Sequence, residues 1–510
     1  MPYGRTFSIH GNFTKRIITK TDNNLSTAMA TENNFPCNHH SPESEGRRDF
    51  LKNLGTITAG AALLPLAGCA DKGEKFTSRS GAPSQNGPME YRTNENTGDK
   101  VSLLGYGCMR WPTKKDEYGK DVIDQDAVNS LVDYAIAHGV NYFDTAPVYV
   151  QGLSEKSTGI ALSRYPRDSY YIATKMSNQR LAGQGRTPEQ LYKDSIEMYE
   201  NSFKELGVDY IDYYLLHSIG GGNGIPLLNE RFFDNGLIDF LVKEREKGRI
   251  RNLGWSFHGD VEVFNHMLAL HDEGKYKWDF AQIQMNYLDW RHAKATNTRN
   301  IDAEYLYGEL EKRGIKCTIM EPLLGGRLSN VPDHVARIFK EREPERSIAS
   351  WAFRFCGTYP GVLSILSGMT YMEHLQDNIS SLAPLTPLSE DELEFLERTA
   401  DLMAAYPTIP CNQCQYCMPC PYGIDIPAVF THYNKCVNEG NMPENRQDPI
   451  YRKARKAFLL GYDRSVPRLR QSDHCIGCNQ CSPECPQSIN IPQQMQRIDR
   501  YVESLKQGTL

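Results

Sequence analysis

No stretch of this 510-residue chain stands out as a membrane span. The most apolar N-terminal run, Ile57 through Leu66, is too short and too rich in Gly and Ala to cross a bilayer as a helix. No charge of one sign dominates. A formal net charge of −6 gives no electrostatic case for nucleic acid or another polyanion. No G-x-G-x-x-G turn follows an early strand pattern, so the dinucleotide cradle of a doubly wound sheet is missing. No flavin-binding motif is visible. What remains is a mildly acidic chain, 40% hydrophobic and 24% charged, too long for one ordinary domain.

Cysteine is what the chain does have, and it is concentrated. Eight of the 14 cysteines lie in two C-terminal runs. The first is Cys411, Cys414, Cys417 and Cys420, followed by Pro421; the second is Cys475, Cys478, Cys481 and Cys485, followed by Pro486. The second run reads C-x2-C-x2-C-x3-C-P, a spacing that wraps three thiolates around a cubic iron–sulfur cluster and lets the fourth reach another. Two runs imply two [4Fe-4S] clusters and one-electron chemistry. Two structural zinc sites are the rival reading, because C-x2-C pairs also suit tetrahedral zinc. The first run has two residues, not three, before its last cysteine, which makes Cys420 the irregular ligand. Cys37, Cys317, Cys356 and Cys436 lack metal spacing and read as unpaired thiols, while Cys108, just after the first strand, reads as a small packing residue, with a pocket-lining thiol as the alternative.

The N-terminus reads as address, not fold. Residues 1–46 are polar without an apolar period; Arg47-Arg48 then precede the weak apolar run, which ends in Leu66-Ala67-Gly68-Cys69. A paired arginine before such a run resembles a twin-arginine export signal. The Leu-Ala-Gly-Cys ending resembles a lipobox, with Cys69 as the lipid anchor. Residues 1–70 are thus assigned to targeting and 71–94 to a linker. The expected location is periplasmic or membrane-anchored, with a cytoplasmic chain as the alternative.

Between residues 95 and 385, strand and helix patterns alternate eight times. Short apolar runs fall near 103–107, 140–144, 170–174, 210–216, 250–255, 280–285, 315–320 and 362–366. Helical periods lie between them. Val128, Leu131, Val132, Ala135 and Ile136 share one face, and Thr187-Pro188-Glu189 reads as a helix start. The length and count predict an α/β fold, a (β/α)8 TIM barrel. Catalytic groups in such barrels sit at C-terminal strand ends. There the chain has Asp144, Lys175 and His217 on three successive strands, with Tyr149 in the loop after Asp144. Together these suit carbonyl reduction. Tyr149 would supply the proton, Lys175 would lower the phenol's pKa, Asp144 would hold Lys175, and His217 would orient the carbonyl oxygen.

Several segments resemble the aldo/keto reductase family. Gly139-Val140-Asn141-Tyr142-Phe143-Asp144-Thr145-Ala146 with Tyr149, Gly152 and Ser154-Glu155 is similar to its first signature. Ile172-Ala173-Thr174-Lys175, Asp212-Tyr213-Tyr214-Leu215-Leu216-His217 and Gly248 through Ser256 are similar to its later strands. The resemblance implies a nicotinamide nucleotide, NADP(H) or NAD(H), and a small carbonyl or alcohol substrate. Ser256, Gln282, Gly325, Gly326 and Asn378 are the nucleotide contacts it implies. Phe257 stands where members usually have Asn, Met320 replaces a stacking aromatic, and Ser367-Gly368-Met369-Thr370 carries no basic residue, with only His374 nearby.

Residues 386–408 are assigned to a connecting helix and 409–510 to a mainly helical ferredoxin-like domain. The wide gap between the cysteine runs resembles helical ferredoxin domains such as those of succinate dehydrogenase iron–sulfur subunits. That resemblance implies crossed ligation: Cys411, Cys414, Cys417 and Cys485 for one cluster, and Cys475, Cys478, Cys481 and Cys420 for the other. The clusters would exchange electrons with a partner protein. The competing function is an electron-transfer or binding module whose barrel no longer turns over nucleotide.

Overall fold

A computed structural model describes residues 87–510, apart from 183, 298 and 405–407. The compact unit Arg79–Leu510 contains all of them. The export signal, Cys37 and Cys69 lie outside the described residues.

Eight parallel strands close a barrel: β1 Leu104–Gly107, β2 Tyr142–Asp144, β3 Tyr171–Met176, β4 Ile211–Ile219, β5 Ile250–Phe257, β6 Phe280–Gln284, β7 Lys316–Met320 and β8 Val362–Ser367. Each pairs with its neighbours in sequence, and β8 returns to β1 through Ile365 beside Leu104. Strand sides that face inward carry aromatic and branched residues. Tyr142, Tyr213, Phe280, Leu363 and Leu366 fill the lumen as their own cluster. The opposite strand sides pack on the helices in a second, larger core. A barrel filled this way has no open bore, so a ligand must bind at an end.

The helices follow local chemistry. Thr187 caps helix Pro188–Leu206, its side chain accepting from Gln190 N–H while Gln190 reaches back in a capping box; Gly207, at φ +68°, ends the helix. Helix Gln125–Ala137 buries Val128, Leu131, Val132 and Ala135, with Ile136 only half-buried at the edge.

The segment assigned to a linker differs in its last residues. Tyr91–Asn94 is a strand paired antiparallel with Asp99–Ser102. Arg92 explains why: its guanidinium donates to Val362 O at 2.8 Å and to the carbonyls of Tyr359 and Gly357. Asn94 reaches Asn252 Oδ1 at 2.9 Å. Polar side chains in a low-complexity stretch thus bind the barrel base. The connecting helix, Glu390–Ala404, is also more than a connector, because Phe395, Leu396, Ala400 and Met403 join the barrel core.

Beyond it, helices Ile426–Asn438, Tyr451–Ser465 and Ile491–Gln507 enclose a separate core that includes Val429, Phe430, Phe458, Met495 and Ile498. Two of these helices start alike. Cys420-Pro421 and Cys485-Pro486 are each followed by Ile-Asp-Ile-Pro or Ile-Asn-Ile-Pro, with Asp425 and Asn490 as side-chain caps. The last cysteine of each run is therefore anchored a few residues ahead of a capped helix.

Candidate active site and cysteine centres

The mouth of the barrel at the C-terminal strand ends opens into a cavity of about 1580 Å³. Asp144, Tyr149 and His217 line it, and Lys175 lies directly beneath. The four residues singled out from strand ends are brought together. Lys175, fully buried, donates to Asp144 Oδ1 and, at 2.7 Å, to Thr145 O. Gln282 Nε2 donates to Asp144 Oδ2 at 3.1 Å. Burial raises the Asp144 carboxyl and lowers the Lys175 ammonium, and each partner opposes the shift of the other.

The lysine meets the phenol through its ring and makes no hydrogen bond to it. Its Nζ lies over the face of the Tyr149 ring, 4.8 Å from the centroid, with its charge engaged by Asp144 and Thr145 O. Burial pushes the Tyr149 phenol well above its ordinary value, and Tyr416 and Asp144 push further the same way. The expected lowering is reversed: in this state the phenol keeps its proton. Tyr149 opens a short turn in which Val150 and Gln151 hold left-handed backbone, φ +47° and +55°. That conformation costs a non-glycine residue free energy, and a branched one most. The strained turn places the hydroxyl toward the cavity.

His217 stands edge-on to Tyr149, ring centroids 5.9 Å apart. Ser177 Oγ lies 2.6 Å from its Nδ1. Burial and then the charges of Lys175, Arg231 and His258 hold its pKa well below the ordinary histidine range, so the imidazole is neutral. Arg231 fixes the strand end. It is buried in the π-helical turn Asn229–Phe233 and donates to His217 O at 2.5 Å, Ser218 O at 3.0 Å and Asn178 Oδ1 at 3.0 Å. Nothing in the sequence around Arg231 marks it.

The five residues assigned to the nucleotide divide. Gln282, Gly325, Gly326 and Asn378 line the cavity, with Asn378 also donating to Ser367 Oγ at 2.9 Å. Ser256 does not. It is buried, and its Oγ accepts from Ser218 N–H at 2.8 Å, locking β4 to β5. Met320 lines the cavity, as do Lys340 and His374. Lys340 lies nearly thirty residues before the segment where the family's basic residues fall.

Glu155, from the first signature, is buried behind β3, accepting from Thr174 Oγ1 at 2.6 Å, and burial raises its pKa from 4.5 to about 7. A folded-state pKa above the unfolded one means stability present below about pH 4.5 and lost as pH rises through 7. Glu155→Gln removes that loss. It is expected to raise unfolding free energy by about 2–3 kcal/mol at pH 8 and by less than about 1 kcal/mol at pH 5, read by denaturant unfolding at both values.

The cysteine runs adopt a crossed arrangement. Cys411, Cys414, Cys417 and Cys485 together line one small void, with Ile426, Phe430 and Ile491 behind them. Cys481 instead has Cys420, Cys475 and Cys478 as its neighbours. Among the described residues no three His, Cys, Asp or Glu side chains are gathered tightly enough for a single metal ion. Either set could hold a cubic cluster. The remaining described cysteines, Cys108, Cys317, Cys356 and Cys436, are buried and unpaired.

The first set faces the barrel. Cys414, Tyr416 and Cys485 line the same cavity as Tyr149 and His217. Arg180, after β3, donates to Tyr416 O at 3.3 Å and pairs with Glu484 at 3.1 Å, tying both runs to the barrel rim. Arg110 donates to Asn412 O, and Asn412 Nδ2 donates to Glu321 Oε1 at 2.6 Å. Gly325 is in the left-handed region, φ +65°, and a Cβ there would come within 2.5 Å of Asn412. Glycine is required both by the turn and by the docked cysteine loop. Spacing alone signals none of these contacts.

Comparison with known proteins agrees with this architecture. The aldo/keto reductase family pattern matches residues 103–401, and a 4Fe-4S dicluster domain pattern matches residues 410–491. L-galactose dehydrogenase of Arabidopsis thaliana is 25% identical over 329 residues, covering 62% of this chain and 94% of that protein. Protein tas of Escherichia coli (strain K12) is 26% identical over 351 residues, covering 61% of this chain and 97% of that protein. A solved aldo-keto reductase from Bacillus halodurans, in its holo form, aligns with a TM-score of 0.47 and 22% identity, over 61% of this chain and 96% of its own. With the family pattern spanning the whole barrel and the cysteine runs carried beyond it, the chain belongs to the aldo/keto reductase family and is an oxidoreductase of that type bearing a C-terminal 4Fe-4S dicluster domain.

Proposed function

We propose that the barrel reduces a carbonyl, or oxidises the corresponding alcohol, with a nicotinamide nucleotide, and that two [4Fe-4S] clusters link it to a one-electron partner protein. The observation that carries this reading is a single cavity lined at once by Asp144, Tyr149 and His217 and by Cys414 and Cys485.

Size and lining both suit a dinucleotide. The cavity, about 1580 Å³, exceeds the roughly 300–1,000 Å³ of an ordinary small-molecule site. Its lining offers Gly326, Ser367, Gly368, Thr370 and Asn378, with Lys340 as a cation for a phosphate. The nucleotide, when bound, supplies the hydride. The chain's own groups manage the proton. Tyr149 retains its phenolic proton against the pull of Lys175 and donates it to the substrate oxygen. In the tautomer where Ser177 Oγ donates to Nδ1, neutral His217 would present Nε2–H to the same oxygen and hold it in place. Lys175, held by Asp144, stabilises the phenolate that the transfer leaves behind. In the oxidative direction the same phenolate takes the proton back.

Cys411, Cys414, Cys417 and Cys485 would hold the cluster next to the cavity. Cys475, Cys478, Cys481 and Cys420 would hold the other, where Cys478 and Ile476 are exposed to a partner. Arg47-Arg48 and Leu66-Ala67-Gly68-Cys69 support export and lipid anchoring. One contact favours the second reading, a module without hydride transfer: Asn412 already occupies the face of Gly325.

The test is titration of the anaerobic protein with NADPH and NADH, followed by intrinsic fluorescence. Saturable binding with a dissociation constant at or below about 100 µM, with carbonyl-dependent oxidation of the nucleotide, is expected. Absence of binding to both nucleotides would replace this reading with the second.

A further inference from the structure

The barrel supplies one phenol to its cavity; the cysteine domain supplies another. Tyr416 is a spacer residue between Cys414 and Cys417, yet it lines the cavity that holds Tyr149 and His217. Its backbone is fixed from the barrel side, with Arg180 Nη2 donating to its carbonyl. Its hydroxyl has no hydrogen-bond partner among the described residues. Gln179 and Asn479 add polar groups to the same wall.

A phenol placed this way has the hallmarks of a binding group. The ring is held between two cysteines of one centre, and the hydroxyl is left to the cavity. A donor without a partner from the protein can pair with a ligand oxygen.

We propose that Tyr416 is a substrate-binding residue of the barrel's active site, contacting an oxygen of the substrate other than the one reduced, so that the site is complete only when the adjacent cysteine loop is ordered. This rests on the carbonyl-reductase reading of the same cavity. Assembly of the centre at Cys411, Cys414, Cys417 and Cys485 then governs how well the barrel holds substrate, without supplying any step of the hydride transfer.

The experiment compares Tyr416→Phe with the native chain on two probes, glyceraldehyde, which carries hydroxyls, and butanal, which does not. Tyr416→Phe is expected to raise KM for glyceraldehyde about five- to tenfold, a loss of about 1–1.4 kcal/mol, with kcat, KM for butanal and nucleotide affinity within about twofold. Cys411→Ala should raise KM for glyceraldehyde in the same way. A readout independent of turnover is visible circular dichroism of the clusters. Adding glyceraldehyde to the nucleotide-bound native protein should perturb the signal that Cys411→Ala removes, and the perturbation should be weaker in Tyr416→Phe. Equal KM values for the native chain and Tyr416→Phe, or an unchanged spectrum on substrate addition, would overturn the role of Tyr416 alone. Loss of all turnover and nucleotide binding in the native chain would instead overturn the reductase reading, and this inference with it.

Discussion

The double variant Cys411→Ala/Cys485→Ala is expected to retain about four iron atoms per chain, against about eight in the native protein. By sequence the two residues belong to different runs, and a scheme in which each run holds its own cluster would lose both clusters and nearly all the iron. In the structure they line one void together with Cys414 and Cys417, while Cys481 keeps company with Cys420, Cys475 and Cys478. Crossed ligation means the two substitutions strike one centre. The complementary pair, Cys420→Ala/Cys475→Ala, should also retain about four iron atoms, and Cys411→Ala/Cys475→Ala should retain almost none. Iron analysis of the three proteins, purified anaerobically, decides the matter; a double Cys411/Cys485 variant free of iron would refute the crossed arrangement.

Tyr149→Phe should lower kcat for carbonyl reduction by about 10²–10⁴, the usual worth of a positioned general acid. Nucleotide affinity and the cluster spectrum should not change. The hydroxyl faces the cavity and has no hydrogen-bond partner among the described residues, so its removal costs the fold little. The raised phenol pKa shapes the pH dependence: the protonated acid persists to high pH, and reduction should show no loss between pH 7 and 9 from Tyr149 titration. Steady-state rates across that range check it. Retention of more than about a tenth of native kcat would remove Tyr149 as the acid.

Much of the site is legible in the sequence because its members sit where barrel strands end. Asp144, Lys175 and His217 each close an apolar run, and the period-two pattern that makes a strand also sets which residue reaches the mouth. The strand and helix alternation likewise needs only local periodicity. What periodicity cannot carry is direction within a few ångströms. Lys175 lies over the Tyr149 ring and not at its hydroxyl because Asp144 and Thr145 O take up its Nζ. Ser256 also serves the fold, because Ser218 N–H donates to its Oγ at 2.8 Å. Tyr91–Asn94 reads as linker because its value lies in Arg92 and Asn94, whose acceptors are more than a hundred residues away in sequence.

By itself, the sequence determined the barrel, its tetrad of catalytic candidates and eight thiols in two runs with iron–sulfur spacing, since each depends on residues close together along the chain. Only the tertiary structure decided that Cys414, Tyr416 and Cys485 line one cavity with Tyr149 and His217. That fact depends on one domain docking on another through Arg110, Arg180, Asn412 and Gly325, and a docked surface leaves no period in the chain that builds it.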